Sequence, residues 1–496
     1  MSTLKNIVIV GGGTAGWMTA ISLLHKWAGS GTKVSLIESP EIGTVGVGEG
    51  STPALKTFFT DLGITESEWM PACNATYKVG ISFSNWSTVT GHTDYFHPFF
   101  SEYDVGPGES FFTRCGHKRR GVSLTAHPDN HFIAPQLFKQ NKGPAAIEPT
   151  QIDYGYHFDS SRLALFLKEK SLALGLNYIE AKVSNVTLAA NGDIEGIQID
   201  GIKDIKADFF VDCSGFYSLL IEKALNSKFI SYENSLFNDS AVTIPTEVYA
   251  DRAPSATISE ALSSGWCWQI PLTNRIGYGY VYSSKYLSAE GAEKELRKHI
   301  GKSSEGKPAK HLKMRIGRRE EHLKNNCVAI GLSQGFIEPL EATALMLVQY
   351  SIYKFIRYVE TSDTDVDNYN TTINQMFEGV KDYIVTHYKL NDRVDSQYWI
   401  DCREKPAISN TLESIITAWD SEQDFDAALS KLSPSLMYKR ASWYAIFAGM
   451  GRFPEGRKAA TTFQLIPSHE KTLSFCQGIT AEKFIDHKES ILMLTQ

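Results

Sequence analysis

Asn6-Ile-Val-Ile-Val10-Gly11-Gly-Gly13-Thr14-Ala15-Gly16-Trp17 is the stretch that decides the fold. The β-branched run bounded by glycines reads as a buried parallel strand. A helical pattern follows from Trp17 to Trp27, then a second strand, Lys33-Val-Ser-Leu-Ile37, which ends at Glu38. The order strand, glycines, helix, strand, acid has a physical logic. Gly11 permits a tight turn, Gly13 lets backbone approach a pyrophosphate, and Gly16 allows close helix–sheet packing. Thr14 and Ala15 open a helix whose N-terminus offers unpaired N–H groups to an anion. Glu38 stands where a ribose-binding carboxylate belongs. The prediction is an α/β Rossmann-like unit binding a dinucleotide.

No second glycine fingerprint occurs, so a separate NAD(P)H site is not expected. Lys206-Ala-Asp-Phe-Phe-Val-Asp-Cys-Ser-Gly215 gives another strand ending in a small-residue turn. It resembles the returning segment with which FAD oxygenases contact the ADP half of their cofactor. One bound FAD, reduced by an outside source, is the economical reading.

Composition narrows the rest. With 496 residues the chain can bury a large core, and 42% hydrophobic with 21% charged residues argues against disorder. A net charge of −7 argues against nucleic acid or an anionic membrane as partner. The basic run His117-Lys118-Arg119-Arg120 is accommodated equally by a solvated loop. No apolar run approaches the roughly 18 residues of a membrane helix. The seven cysteines are scattered without C-x-x-C pairing, which fits a cytoplasmic location and no structural metal.

Gly46-Val-Gly48-Glu49-Gly-Ser51-Thr52-Pro53 reads as a glycine-rich loop with Thr52 as N-cap and Pro53 as first helical residue. Taken alone, it is a cofactor loop or a mere connection. Four further segments stand beside it: Tyr77-Lys78-Val79-Gly80, His97-Pro98-Phe99, Trp266-Cys-Trp268-Gln-Ile270-Pro271, and Pro339-Leu-Glu341-Ala342-Thr343. Together with the glycine fingerprint these resemble the flavin-dependent tryptophan halogenases. The likeness continues through Ile384-Val-Thr-His387-Tyr388 and Asp395-Ser-Gln-Tyr-Trp399 and covers most of the chain.

The resemblance implies an FADH2- and O2-dependent enzyme that oxidises halide and halogenates an indole-like aromatic. Gly331, Gly48, Glu49, Ser51 and Thr52 would join the fingerprint in holding FAD. Trp266 and Trp268, on one face of a strand, would form with Ile270 and Pro271 a wall between flavin and substrate. An arbitrary W-x-W is otherwise a packed core pair. Lys78 would hydrogen-bond hypohalous acid or form a haloamine, and burial would favour its neutral amine. Glu341 would polarise the halogen donor or accept the ring proton. His97, Pro98 and Phe99 would clasp the ring, and Trp443-Tyr444 resembles the C-terminal substrate segment. Pro339 precedes an apolar helical run, Ala344 to Tyr358, so the N–H groups of Thr343 and Ala344 offer a seat for halide. Here E-A-T-A replaces the family's more common E-S-T-G, which puts bromide first for testing.

The expected architecture is an FAD-binding unit of the glutathione-reductase/aromatic-hydroxylase type over 1–360. Substrate segments interleave at about 80–150 and 226–310, and a helical C-terminal cap occupies 361–496. Residues 91–150 read as a loop-like lid. Segments Met376–Tyr388 and Leu412–Ala418 read as amphipathic helices. A separate NAD(P)H-dependent flavin reductase is the implied partner, and a homodimer is left open. The rival functions are an FAD-dependent aromatic hydroxylase, sharing the cofactor, and a non-catalytic flavin-binding protein.

Overall fold

The computed structural model describes residues 4–41, 48–144, 151–199, 202–361, 365–421, 423–432, 437–457 and 468–495. Gly46 and Val47 of the glycine-rich loop, and the end of the 91–150 segment, lie outside these. The chain forms two compact units, each built from three stretches: 1–74, 158–232 and 315–377 in one, and 75–157, 233–314 and 378–496 in the other.

The first unit is organised by a six-stranded sheet. Its order is Leu323–Lys324, Cys327–Ala329, Phe209–Asp212, Asn6–Val10, Lys33–Glu38, Asn177–Glu180. All neighbours are parallel except the short hairpin Leu323–Lys324 with Cys327–Ala329. Asn6–Val10 lies in the middle, with Ile9 in register with Leu36 on one side and Val211 on the other. Ile7 and Ile9 are wholly buried, which stabilises by about 1.5–3 kcal/mol for each side chain. Helix Thr14–Lys26 makes the crossover and buries Trp17, Met18, Ala20, Ile21 and Leu23. Against the sheet, Val8, Val10, Ile37 and Phe210 pack with Ile194, Ile197 and Ile199 of a smaller antiparallel sheet.

The second unit is built on a seven-stranded sheet. Its order is Lys310–Lys313, Ser240–Thr246, Ile276–Tyr282, Gly265–Pro271, Thr257–Leu262, Gly80–Ser84, Asp94–Pro98. Only Thr257–Leu262 with Gly80–Ser84 is parallel. Helix Ala289–Ile300 covers one face, burying Ala292 and Leu296 with Val242, Ile244, Cys267 and Tyr280. On the other face Phe83 stacks on Tyr95 at 4.9 Å, and His387 of helix Val366–Leu390 packs on Phe83 at 4.8 Å. The segments expected as amphipathic helices are Val366–Leu390, longer than Met376–Tyr388, and Asn410–Asp420.

Three expectations are corrected. Within the segment 91–150, the described residues 91–144 are not loop-like: they contain strand Asp94–Pro98 and helices Val105–Arg119 and Ile133–Lys139. Gly106-Pro107-Gly108 conceals the first helix, yet Pro107 falls in its first turn, where no intrahelical N–H is needed. Pro98 ends an edge strand, where a missing donor costs least. The basic run is no solvated loop either. It closes helix Val105–Arg119, and the buried Arg119 guanidinium donates to the carbonyls of Trp419 (2.8 Å), Ser421 (3.0 Å) and Gln423 (3.1 Å). Finally, Pro53 rather than Thr52 is the N-cap of helix Ala54–Asp61, while Thr52 offers its carbonyl to Leu55 N–H.

All seven cysteines are free and buried. Among the described residues no helix is long and apolar enough to cross a membrane, and no cluster of three potential metal ligands occurs.

Candidate active site

In the first unit the glycine fingerprint has the steric character of a phosphate cradle. A β-carbon at Gly11, where φ is +118°, would fall 2.1 Å from the Cys213 carbonyl oxygen; one at Gly16 would fall 2.0 Å from that of Gly11. Gly13 is different: nothing lies within 4 Å of the place its β-carbon would take. That open backbone is the N-cap of helix Thr14–Lys26 and has no side-chain cap, so the first N–H groups of the helix, beginning at Thr14, have no intrahelical acceptor. These residues fit the diphosphate of a dinucleotide. Gly12, which the spacing argument passed over, is also constrained, because a β-carbon there would lie 2.2 Å from the Glu38 carboxyl carbon. Three consecutive glycines were the signal.

Glu38 ends its strand with Oε2 accepting hydrogen bonds from Lys168 Nζ (3.0 Å) and Tyr178 OH (2.9 Å). Its other oxygen, Oε1, lies beside Gly12, where a β-carbon would come within 2.2 Å of it. Gly331, at φ +79°, lies against Ala15: a β-carbon there would approach that of Ala15 to 2.6 Å. Glu49 sits on the short strand Gly48–Gly50, followed by the buried Ser51. Burial raises the Glu49 carboxyl to about 7, opposed by a hydrogen bond from Ser160 and reinforced by Asp159.

The same unit carries Glu341. It closes a short 3-10 turn, Pro339–Glu341, and is buried. Ala342 follows at φ +55°, a left-handed conformation that costs a residue with a β-carbon roughly 1–2 kcal/mol. This kink delivers Thr343 as the N-cap of the long helix Ala344–Glu360, again without a side-chain cap. The first N–H groups of that helix have no intrahelical acceptor and attract an anion through the helix dipole. Losing the family's serine and glycine at Ala342 and Ala344 leaves these backbone donors in place.

In the second unit Lys78 ends strand Thr76–Lys78 and has no accessible surface. Its ammonium position lies 5.4 Å from the centroid of the Phe99 ring. The backbone fixes that pairing: Val79 N–H donates to Ser255 O (2.7 Å), and Phe99 N–H donates to Val79 O (2.9 Å). His97, also buried, is linked through Nε2 to Ser442 Oγ at 2.9 Å and lies 5.7 Å from the ring of Tyr383, which stacks on Tyr438 at 3.6 Å. Trp443 packs edge-on to Tyr383 at 5.1 Å. Tyr444 turns away from this group. Adjacent positions on a helix point about 100° apart. Its hydroxyl donates to Asp426 (3.0 Å), and its ring lies 4.7 Å from that of Phe112.

Strand Gly265–Pro271 places Trp266, Trp268 and Ile270 on one face, with the two indoles 6.0 Å apart. Directly across, Trp268 faces Gly279 and Ile270 faces Gly277. The Trp268 ring lies on Gly279 so closely that a β-carbon would sit 2.0 Å from its Cζ2. Sequence reasoning missed these glycines and also missed Ser442, Tyr383 and Tyr438. The alternation Ile276-Gly-Tyr-Gly-Tyr280 was the available signal, since glycine inside a strand marks a close approach.

The geometry thus supplies a glycine turn that could take a diphosphate, a helix terminus beside the buried Glu341 that could seat an anion, and a buried lysine beside the Phe99 ring. Lys78 belongs to one unit and Glu341 to the other.

Comparison with known proteins gives a consistent result. The sequence pattern of the family described as tryptophan halogenase matches residues 6–464. The chain is 38% identical over 452 residues to tryptophan 6-halogenase SttH of Streptomyces toxytricini, covering 84% of this chain and 85% of that one. It is 32% identical over 485 residues to tryptophan 7-halogenase RebH of Lentzea aerocolonigenes, covering 91% and 90%. Among solved structures, the flavin-dependent halogenase BrvH of Brevundimonas sp. BAL3 superposes with a TM-score of 0.86 at 30% identity, covering 99% of both chains.

Proposed function

Because the chain belongs to the tryptophan halogenase family, whose members are flavin-dependent halogenases, we propose that Lys78 and Glu341 are its catalytic pair and an indole its substrate. The fingerprint Gly11–Gly16 holds the FAD diphosphate and Glu38 its adenosine ribose, with Gly331 and the Gly48–Thr52 segment completing the cradle. Bound reduced FAD with dioxygen supplies the oxidising equivalents that turn halide into hypohalous acid. The N–H groups of Thr343 and Ala344 hold the halide. Lys78 hydrogen-bonds the hypohalous acid or carries its halogen as a haloamine, and Glu341 polarises that donor or takes the ring proton as aromaticity returns. His97 and Phe99 clasp the ring. Trp266 and Trp268 keep it from direct oxygenation.

The observation that carries this reading is the complete burial of Lys78. Lysine is among the residues least often fully buried, because an ammonium is costly to desolvate, and here it is enclosed beside the Phe99 ring. Tryptophan, free indole and a larger indole derivative are the substrates to compare. A separate NAD(P)H-dependent flavin reductase supplies FADH2 by diffusion, and the working location is the cytoplasm.

The test is mass spectrometry of products from indole and tryptophan with reductase-generated FADH2, oxygen and bromide or chloride. A mono-halogenated indole ring, lost in Lys78→Ala, is expected. A hydroxylated product without halogen overturns the proposal. Full-rate bromination with NADH and FAD alone overturns the reductase requirement.

A further inference from the structure

Thr76 lies two residues before Lys78 on the same strand, so both side chains share one face. Across the antiparallel pair, His157 is opposite Thr76, and Gly155, which offers no side chain, is opposite Lys78. His157, Thr76 and Lys78 are all buried to within 1%. His157 is therefore the diagonal cross-strand neighbour of the lysine, a relation that spans roughly 7–8 Å between backbones.

The hydrogen bonds around this histidine can run in only one direction. The Thr76 hydroxyl donates to the Pro271 carbonyl at 2.8 Å, and a carbonyl cannot donate in return. The oxygen of Thr76 is then left to accept, so its 3.1 Å bond to His157 Nδ1 requires the proton on Nδ1. A neutral imidazole with Nδ1–H has a bare Nε2, which accepts from the Thr257 hydroxyl at 2.9 Å. Burial first, then the charge of Lys78 and that of His487, hold the ring well below the usual histidine value, so it stays neutral. Thr257, His157, Thr76 and Pro271 thus form one directed chain. It ties the strand of Lys78 to the end of the strand bearing Trp266 and Trp268.

We infer that His157 is the positioning residue of the lysine: in its Nδ1–H form it locks Thr76 onto Pro271 and fixes Lys78 in register with the tryptophan strand. The inference rests on the reading of Lys78 as the residue that handles hypohalous acid. Without the lock, Thr76–Lys78 keeps its backbone pairing with 155–157 but loses its side-chain anchor to Pro271. A lysine displaced by an ångström releases its halogen species to solvent.

The experiment uses full-length protein with reductase-generated FADH2, bromide and indole. Brominated indole is measured together with free hypobromous acid, trapped by an added enolisable diketone. His157→Leu and Thr76→Val are expected to lower kcat for bromoindole by roughly 10–100-fold, the scale of a small misplacement. The KM for indole and the FAD affinity stay within about twofold, and the share of trapped hypobromous acid rises. His157→Asn keeps an N–H donor and Thr76→Ser keeps the hydroxyl, so both recover most of the product. An unchanged ratio of product to trapped acid overturns the proposal, as does a loss that follows melting temperature without conservative rescue. Should His157→Leu fail to fold, the Thr76 pair carries the test. If Lys78→Ala is inactive while His157→Leu and Thr76→Val are fully active, only the positioning role fails. Full product from Lys78→Ala overturns the lysine assignment itself, and this proposal with it.

Discussion

Trp268 rests its indole on Gly279, the residue facing it on the next strand, at a distance that leaves no room for a single β-carbon. The tilt of this ring is thus set by the absence of a side chain on its neighbour. Gly279→Ala is expected to push the ring off the sheet, with an overpacking cost of about 1–3 kcal/mol. Halogenated product should fall by roughly 10–100-fold. FAD affinity, followed by flavin fluorescence, should not change, because the fingerprint lies in the other unit. Unaltered product formation would show that the orientation of Trp268 is irrelevant to turnover.

Lys78→Met separates chemistry from packing. Methionine fills a similar volume but carries no amine, so the fold, followed by thermal melting, should be retained while halogenation is lost. Product should fall by roughly 10²–10⁴-fold. A variant that loses stability and activity in parallel would assign Lys78 a structural role instead.

Glu49 links stability to pH. Its folded value of about 7 lies above the ordinary 4.5, so the fold favours the protonated carboxyl. The resulting stability is present in full below the unfolded value and is lost as pH rises through 7. Glu49→Gln removes this dependence. In flavin-free protein its unfolding free energy, from urea titration, should gain on that of wild type between pH 5 and pH 8 by about 2–3 kcal/mol. A constant difference across that range would contradict the assignment.

Arg119 is expected to be a stability residue remote from chemistry. Its guanidinium serves the carbonyls of Trp419, Ser421 and Gln423, at and just beyond the C-terminus of helix Asn410–Asp420, and lies 5.1 Å from the Trp419 ring. Arg119→Met should cost about 2–4 kcal/mol by stranding these acceptors, and Arg119→Lys should not restore it, because an ammonium cannot reproduce the fork. Thermal melts with activity per folded molecule provide the check.

What could be read from the sequence divides along the distance over which information acts. The fingerprint was legible because its glycines stand at a fixed local spacing between a strand and a helix, although the atoms that exclude a β-carbon at Gly11 and Gly12 belong to the distant Cys213 and Glu38; Gly13 shows the open space its spacing implied. The helix terminus at Thr343 and Ala344 was legible for the same reason: Pro339 and an apolar run fix it locally. Lys78 was not. A single lysine carries no mark of burial, and only the likeness of several segments to a known family raised it above a surface residue. The partners of His97 and His157 were further from reach, since Ser442 and Thr257 are distant in the chain and nothing in the local pattern pairs them. Helix Val105–Arg119 was missed because Gly106, Pro107 and Gly108, ordinary breakers, stand together in the one turn that tolerates them.

The order of strands in the six-stranded sheet bears on biosynthesis. Asn6–Val10 leaves the ribosome first and takes its neighbour Lys33–Glu38 at once, but Phe209–Asp212 must wait for Cys327–Ala329 before its far edge is covered. Non-local pairing of this kind slows folding and leaves an apolar edge open to other nascent chains. Yield in a heterologous host is therefore governed by how long that edge stays bare. Slower translation at low temperature, or added chaperone, should help recovery more than any stabilising substitution in the finished fold.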